Sequence, residues 1–363
     1  MKARLEQRED TVMKEGKQKD SKMEFYTDRR ADRRLAQALQ LASTMQPATP
    51  DPSPEASLEE LLAYCAQAEA IFDQLGPIQE AAMPDYPDIE TRTEIITGVD
   101  GNEIPLYLHL PKAGTPPGPC VLHTHGGGMV LMAAADPLFK RWRNDVAQAG
   151  LRVVGVEFRN GGGKLGNHPF PAGLNDCASA AQWIHAHKEE LGITHVVISG
   201  ESGGGNLSIA TTLKAKQEGW LDHIQGVYAC CPYISGAYAD PPEELGSLHE
   251  NDGYQLGRNQ MAALVRVYDP NLENSTNPLA WPYHASLEEL AGLPPHVISV
   301  NELDPLRDEG LEFYRKLQAA GVPAMGRVVL GTNHAGDVGF ADVTPDLYFE
   351  TLNSLVAFAH RVG

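Results

Sequence analysis

The stretch that decides the fold is residues 195–207, HVVISGESGGGNL. A β-branched apolar run, 195–199, leads directly into Gly200-Glu201-Ser202-Gly203-Gly204, and a helical pattern begins near Gly203. A serine at a tight turn from a strand to a helix needs small neighbours, because the backbone is strained and the side chain must stand clear. The helix N-terminus also favours negative charge that develops beside it. This context favours a nucleophilic serine at position 202 over the structural alternative, a glycine-rich helix cap.

Short strands and helices alternate on both sides of this turn. The predicted strands are 120–124, 151–158, 195–199, 225–230, 296–300 and 327–330. The predicted helices are 139–149, 172–190, 203–218, 307–320 and 345–361. An Asp100-Gly101 turn joins two further strands, 93–99 and 103–110, in a hairpin. The alternation predicts βαβ units, and therefore an α/β fold whose central sheet is mostly parallel and is flanked by helices.

Two segments do not fit this alternation. Residues 1–85 show no strand signal, and Ser57 and Glu60 match a capping box at the start of a helix that reaches Ile71. The interval 235–277 is too long for a crossover loop. We therefore expect residues 86–363 to form one α/β domain, with both segments packed outside its sheet.

A second glycine-rich motif, His125-Gly126-Gly127-Gly128, follows the strand at 120–124. Three glycines leave backbone N–H groups open to a substrate oxygen, which is what an oxyanion hole requires. We expect Gly127 and Gly128 to donate there together with Gly203, and His125 to support the loop by hydrogen bonding. An ordinary glycine turn is the alternative.

The candidate acid and base lie near the C-terminus. Asp304 follows the strand at 296–300, where open α/β sheets carry functional groups. Asp308 competes with it, but falls in a first helical turn, where a carboxylate already has a structural role against the helix dipole. His334 follows the last strand and completes the chain order Ser…Asp…His. The order predicts that Ser202, Asp304 and His334 form a catalytic triad, with Glu201 supporting the serine.

The composition of the chain limits its possible binding partners and its possible cellular location. The net charge of −19 argues against nucleic acid and anionic membranes, which would repel the chain. The five cysteines have no metal-ligand spacing, which is typical of buried thiols in a reducing compartment. Residues 1–24 alternate charges and hold no apolar run, so we expect neither a signal peptide nor a membrane anchor. These features predict a cytoplasmic protein that uses no metal and no cofactor.

Four ordered motifs together resemble the bacterial hormone-sensitive lipase family of carboxylesterases: HGGG at 125–128, HPFPAGLND at 168–176, GESGGGNL at 200–207 and DPLRDEG at 304–310. The resemblance implies the α/β-hydrolase fold, with 1–85 and 235–277 as a helical cap over the active site and Asp304 as the triad acid. The triad itself predicts hydrolysis of small carboxylic esters through an acyl-enzyme, and lactones are compatible because they are cyclic esters. We expect chains of short to medium length, because no long apolar lid for a lipid interface is visible in the sequence. The chain departs from the family at Met129, at Gly203 and in FRNGGG at 158–163, which bear on the walls of the pocket.

Several alternatives stay open at this point. An amidase or peptidase would use the same triad, and a ligand receptor would use only the pocket. A metal-dependent hydrolase would use His123 and His125, which alternate along one strand and so face one side. The sequence Gly161-Gly162-Gly163-Lys164 lacks the remainder of a phosphate-binding loop. The edge strand near 324–330 could pair across a two-fold axis, which would make a homodimer.

Overall fold

The central sheet has eight strands. The computed structural model describes residues 24–45, 51–53 and 55–363. Within them the strands are β1 (Ile89–Thr97), β2 (Glu103–Pro111), β3 (Gly118–Thr124), β4 (Arg152–Val156), β5 (Ile193–Glu201), β6 (Gly226–Cys230), β7 (His296–Asn301) and β8 (Ala324–Val329). Their order across the sheet is β1-β2-β4-β3-β5-β6-β7-β8. The first two pairings are antiparallel and the rest are parallel, which confirms the predicted hairpin and the mostly parallel sheet.

Helices separate most of these strands along the chain. Over the described ranges the α-helices are α1 (Arg33–Met45), α2 (Leu58–Ala81), α3 (Pro137–Gln148), α4 (Ala172–Ala186), α5 (Gly203–Glu218), α6 (Ser247–Glu250), α7 (Arg258–Tyr268), α8 (Leu287–Leu290), α9 (Arg307–Ala319) and α10 (Pro345–Arg361). No helix of the described residues has the length and apolar character required to cross a bilayer.

The core has two layers because successive strand residues face opposite sides of the sheet. On one side, Leu122 and Ile198 pack in a cluster with side chains of α4 and α5. On the other side, Val121 and Val197 pack in a cluster with side chains of α3 and α10. All five cysteines are buried and unpaired, as expected. The sheet is thus covered on both faces, and its functional groups must lie at its edges or ends.

The N-terminal segment differs from its predicted form in one respect. Ser57 and Glu60 form the expected capping box. Helix α2, however, runs ten residues past the predicted end at Ile71 and includes Gly76 and Pro77. A Gly-Pro pair usually ends a helix, but here α2 packs against α3, and a Cβ added to Gly76 would lie 4.0 Å from Pro137. Residues 1–23, where the charge alternation lies, and Pro47, Pro50 and Pro54 are outside the described residues.

The topology gathers the sequence motifs at one end of the sheet. The HGGG motif follows β3, Ser202 follows β5, Asp304 follows β7 and His334 follows β8. These four strands are parallel neighbours or near neighbours, so their carboxyl ends meet at the same rim.

Candidate active site

Ser202 occupies a strained turn between β5 and α5. Its backbone angles are φ 58° and ψ −121°, outside the usual range for a residue with a side chain. Its neighbour Gly203 has no room for a side chain, because an added Cβ would lie 2.6 Å from the nitrogen of Met129. The turn is fixed on its other side by a hydrogen bond from the Ser202 N–H to the Cys230 carbonyl, at 2.9 Å. The glycines of the motif therefore let the glycine loop after β3 approach the serine closely.

Asp304 and His334 form a buried pair. His334 Nδ1 lies 2.8 Å from Asp304 Oδ2, while Asp304 Oδ1 accepts the N–H of Leu306 at 2.9 Å. The carboxylate is fully buried, and the Asn251 side chain donates to the Asp304 carbonyl at 3.0 Å. The imidazole and Ser202 line the same cavity. Both oxygens of the acid are thus committed, one to a backbone amide and one to the imidazole.

The loop after β3 presents free amides beside the serine. Gly127 and Gly128 both have positive φ, 101° and 64°, and the Gly127 carbonyl accepts the N–H groups of Val130 and Leu131 in a tight turn. Within the described part of the chain, the N–H groups of Gly127 and Gly128 donate to no other protein atom. Both glycines line the cavity next to Ser202.

Two side chains hold this loop from behind. Glu201 accepts the N–H of Gly126 at 2.7 Å through Oε1, and its Oε2 lies 3.1 Å from Nε2 of His123. His125 is fully buried, stacks on Phe158 with ring centroids 4.1 Å apart, and donates from Nδ1 to the Gly126 carbonyl at 2.7 Å. Burial lowers the pKa of His125 to about 3, so its imidazole is neutral. The Gly126 backbone is thus held at its N–H by Glu201 and at its carbonyl by His125.

Asp308 lies in the first turn of α9, one turn after Asp304. Its Oδ2 accepts the N–H of Ser247 at 2.7 Å, and its Oδ1 accepts from Arg307 at 2.8 Å. The bond to Ser247 joins α9 to the short helix α6. In this structure it is Asp304, and not Asp308, that contacts His334.

The cavity beside Ser202 has a volume of about 180 Å³ and is mainly apolar. Its wall comes from α2, α3, α7 and the loops after β3 and β8, and includes Phe72, Met132, Phe139, Trp142, Met261, Leu264 and Val338. The sequence motifs did not identify these residues, since a wall assembled from distant helices has no local pattern. Phe72 directly follows the predicted helix end at Ile71, and no local pattern marks it as a cavity residue.

The buried Asp337 was also missed. It accepts hydrogen bonds from Asn301 at 2.8 Å and from Thr351 at 2.7 Å, and so ties the His334 loop to β7 and α10. Its position three residues after His334 was the available signal.

The metal alternative concerns His123 and His125. Among the described residues, a group of three potential ligand atoms within 4.8 Å of one another forms at Cys231, Asp304 and His334, and does not include His123 or His125. Burial raises the pKa of the Cys231 thiol well above its ordinary value, so it is neutral and does not compete with Asp304 as an anionic partner. Lys164, at the end of the glycine run, pairs with Asp73 and Asp136, both at 2.9 Å.

The sequence is similar to those of known esterases of the family that the motifs indicated. The α/β-hydrolase fold family model matches residues 121–337. Esterase LipI from Mycobacterium tuberculosis is 31% identical over 80% of this chain and 87% of its own length. An arylesterase from Saccharolobus solfataricus is 30% identical over 74% of this chain and 84% of its own.

Two solved structures that resemble this one are also esterases. A structure described as brefeldin A esterase, a bacterial homologue of human hormone-sensitive lipase, has a TM-score of 0.88 and 44% identity, covering 94% of this chain and 96% of its own. The structure of esterase Est22 has a TM-score of 0.83 and 38% identity, covering 93% and 98%.

Proposed function

The chain belongs to the hormone-sensitive lipase group of the α/β-hydrolase family and is a carboxylic ester hydrolase, and on that premise we propose that it cleaves esters with a triad of Ser202, His334 and Asp304. The observation that carries the proposal is the 2.8 Å contact between His334 Nδ1 and Asp304 Oδ2, beside a cavity that Ser202 and His334 share. Because a carboxylate only accepts, His334 donates from Nδ1, and its Nε2 is the basic atom.

The reaction proceeds in two displacements. His334 Nε2 takes the proton of the Ser202 hydroxyl while Oγ bonds to the ester carbonyl carbon, and the resulting imidazolium is stabilised by Asp304. The imidazolium returns the proton to the alcohol oxygen as the ester C–O bond breaks, which leaves an acyl-enzyme. Water then repeats the attack with the same base, and releases the acid and the free serine.

The negative charge on the carbonyl oxygen requires donors beside it. We assign this role to the N–H groups of Gly127, Gly128 and Gly203, and one such donor contributes about 3 kcal/mol in known enzymes. His125 and Glu201 support the loop: each is bonded to the Gly126 peptide, one at its carbonyl and the other at its N–H. They are positioning residues that do not touch substrate in this scheme.

We further propose that the segments 1–85 and 235–277 act as a cap over residues 86–363. Helix α2, from the first segment, contributes Phe72 to the cavity, and α7, from the second, contributes Met261 and Leu264. A small, mainly apolar cavity favours uncharged esters of short to medium chain length. Lactones, which are cyclic esters, suit the same chemistry.

Two further proposals concern the cellular location and the oligomeric state of the protein. The unpaired, buried cysteines support a cytoplasmic location, which fractionation of the source cells tests. The strand β8 lies at an edge of the sheet and supports a homodimer.

Labelling with a fluorophosphonate tests the proposed chemistry, since it requires a nucleophilic serine and not a metal. We expect covalent adduction at Ser202, identified by peptide mass, with loss of hydrolysis of p-nitrophenyl butyrate in proportion to labelling. Adduction elsewhere, or full activity after complete labelling, would contradict the proposal.

A matched ester and anilide of the same acid separate an esterase from an amidase, because the anilide has the poorer leaving group.

A further inference from the structure

One buried carboxylate fastens helix α2 to two loops. Glu69 is 3% exposed; its Oε1 accepts the N–H of Met132 at 2.8 Å and its Oε2 accepts the N–H of Lys164. The ammonium group of Lys164 is directed elsewhere, to Asp73 and Asp136. Each oxygen of Glu69 therefore takes a backbone N–H from a different loop, and the contact depends on both oxygens being acceptors.

The first of these loops forms part of the cavity. Met132 lies four residues after Gly128, lines the cavity, and has a φ of 70°, which is unfavourable for a residue with a side chain. Such a conformation persists only where the surroundings hold it. The hydrogen bond from its N–H to Glu69 is one of the contacts that do so.

The second loop contains the glycine run in which this chain departs from its family. Gly163 has a φ of 64°, and a Cβ on it would overlap the Glu69 carboxylate. A Cβ on Gly162 would lie 3.5 Å from Cβ of Cys65 on α2. The missing side chains let α2 approach this loop closely enough for Glu69 to reach its backbone.

Phe72 lies three residues after Glu69 and therefore on the same side of α2. It lines the cavity together with Met132. We propose that Glu69 is a positioning residue that sets the substrate range: by holding α2 to both loops, it fixes Phe72 and Met132 as one rigid part of the cavity wall. This inference rests on the proposed function. Esters whose chains reach that wall depend on Glu69, whereas an acetate, which ends near Ser202, does not.

The minimal test is Glu69→Gln, since an amide has one acceptor oxygen and its NH₂ group opposes the second backbone N–H. The readout is kcat/KM for p-nitrophenyl hexanoate divided by that for the acetate. We expect the ratio to fall about fivefold, mainly through a higher KM for the hexanoate, because contacts with single methylenes already change specificity by such factors. Glu59→Gln, the same substitution at an exposed position in the first turn of α2, is the matched control and should leave the ratio unchanged.

A double-mutant cycle shows whether Glu69 acts through Phe72. Phe72→Ala should lower the same ratio, and adding Glu69→Gln to it should lower the ratio little further. An unchanged ratio in Glu69→Gln, or fully additive effects in the double variant, would overturn the proposal. If Glu69→Gln does not fold, Glu69→Asp, which keeps both acceptors on a shorter chain, is measured in the same way. Acetate hydrolysis in Ser202→Ala tests the triad, whereas the ratio of hexanoate to acetate hydrolysis in Glu69→Gln tests this proposal, so the two can fail separately.

Discussion

Glu201 and Gly126 are joined by a 2.7 Å hydrogen bond, so the residue before Ser202 holds the first glycine of the loop after β3. The two donor surfaces of the proposed oxyanion hole, one on this loop and one at Gly203, are thereby fixed relative to each other. This relationship makes Glu201 testable apart from the triad.

We predict that Glu201→Ala lowers kcat about a hundredfold with little change in KM, since small misplacements of a catalytic geometry cost that much. Glu201→Gln should recover part of the loss, because its carbonyl oxygen can still accept the Gly126 N–H. Steady-state kinetics with p-nitrophenyl butyrate measure both variants. Equal losses in the two variants, or a change in KM alone, would argue against a positioning role.

Ser202→Ala is expected to lower kcat by at least about 10⁴-fold, as loss of a triad nucleophile does elsewhere, while the fold survives. Ser286→Ala is the matched control. Ser286 caps α8 away from the cavity. Ser286→Ala should therefore lower the free energy of unfolding by about 1 kcal/mol and leave kcat unchanged. Retention of more than about one hundredth of the wild-type rate in Ser202→Ala would remove Ser202 from the mechanism.

The two aspartates of the DPLRDEG motif should respond oppositely. Asp304→Asn is expected to lower kcat about 10⁴-fold, because an amide at this position can favour the wrong tautomer of His334. Asp308→Asn should instead cost about 2 kcal/mol of stability, since Asp308 accepts from the Ser247 N–H and from Arg307. Steady-state kinetics and urea unfolding of both variants test this prediction. A large loss of kcat in Asp308→Asn, with only a loss of stability in Asp304→Asn, would make Asp308 the catalytic acid.

A pH dependence of stability should arise at Glu309. Burial raises its pKa to about 7, although Ser235, Ile234 and Tyr238 donate hydrogen bonds to it. Between the ordinary glutamate pKa and pH 7, the unfolded chain loses this proton and the folded protein keeps it, so Glu309 destabilises the fold as the pH rises through this window.

Glu309→Gln removes this titration. The stability of the variant relative to wild type should therefore increase by up to about 3 kcal/mol from pH 4.5 to pH 7 and then level off. Urea unfolding at several pH values, with the two proteins compared at each, cancels the other titrating groups. A constant difference across the window would contradict the prediction.

The proposed homodimer depends on β8. Met325, Val328 and Leu330 are exposed at or beside this edge strand. Val328→Lys should therefore convert a dimer to a monomer, as light scattering coupled to gel filtration would measure. A monomeric mass for the wild-type chain at micromolar concentration would refute the proposal.

The parts of the fold that the sequence predicted well depend on local chemistry. The turn at Ser202 and helix α5 follow from glycines next to a β-branched run, and the predicted bounds of α5, residues 203–218, match the structure. The hairpin at Asp100-Gly101 and the capping box at Ser57 are equally local signals. Each of these patterns contains most of the interactions that stabilise it.

The contacts that were not predicted join residues far apart in the chain. Glu69 contacts Met132 and Lys164, which lie 63 and 95 residues away. Nothing near Glu69 distinguishes it from the other acidic residues of α2 before the helix is packed. The cavity wall was unpredictable for the same reason, since its side chains meet only after the helices assemble around the sheet.

The left-handed backbone at Ser202 has a consequence for how this protein could adapt to heat. Glycine adopts such angles without steric cost, so Ser202→Gly should relieve strain there and raise the melting temperature while ending catalysis. Catalytic activity and thermal stability therefore place opposite demands on residue 202. A selection for thermostable variants that does not also require turnover should enrich inactive proteins with glycine at this position.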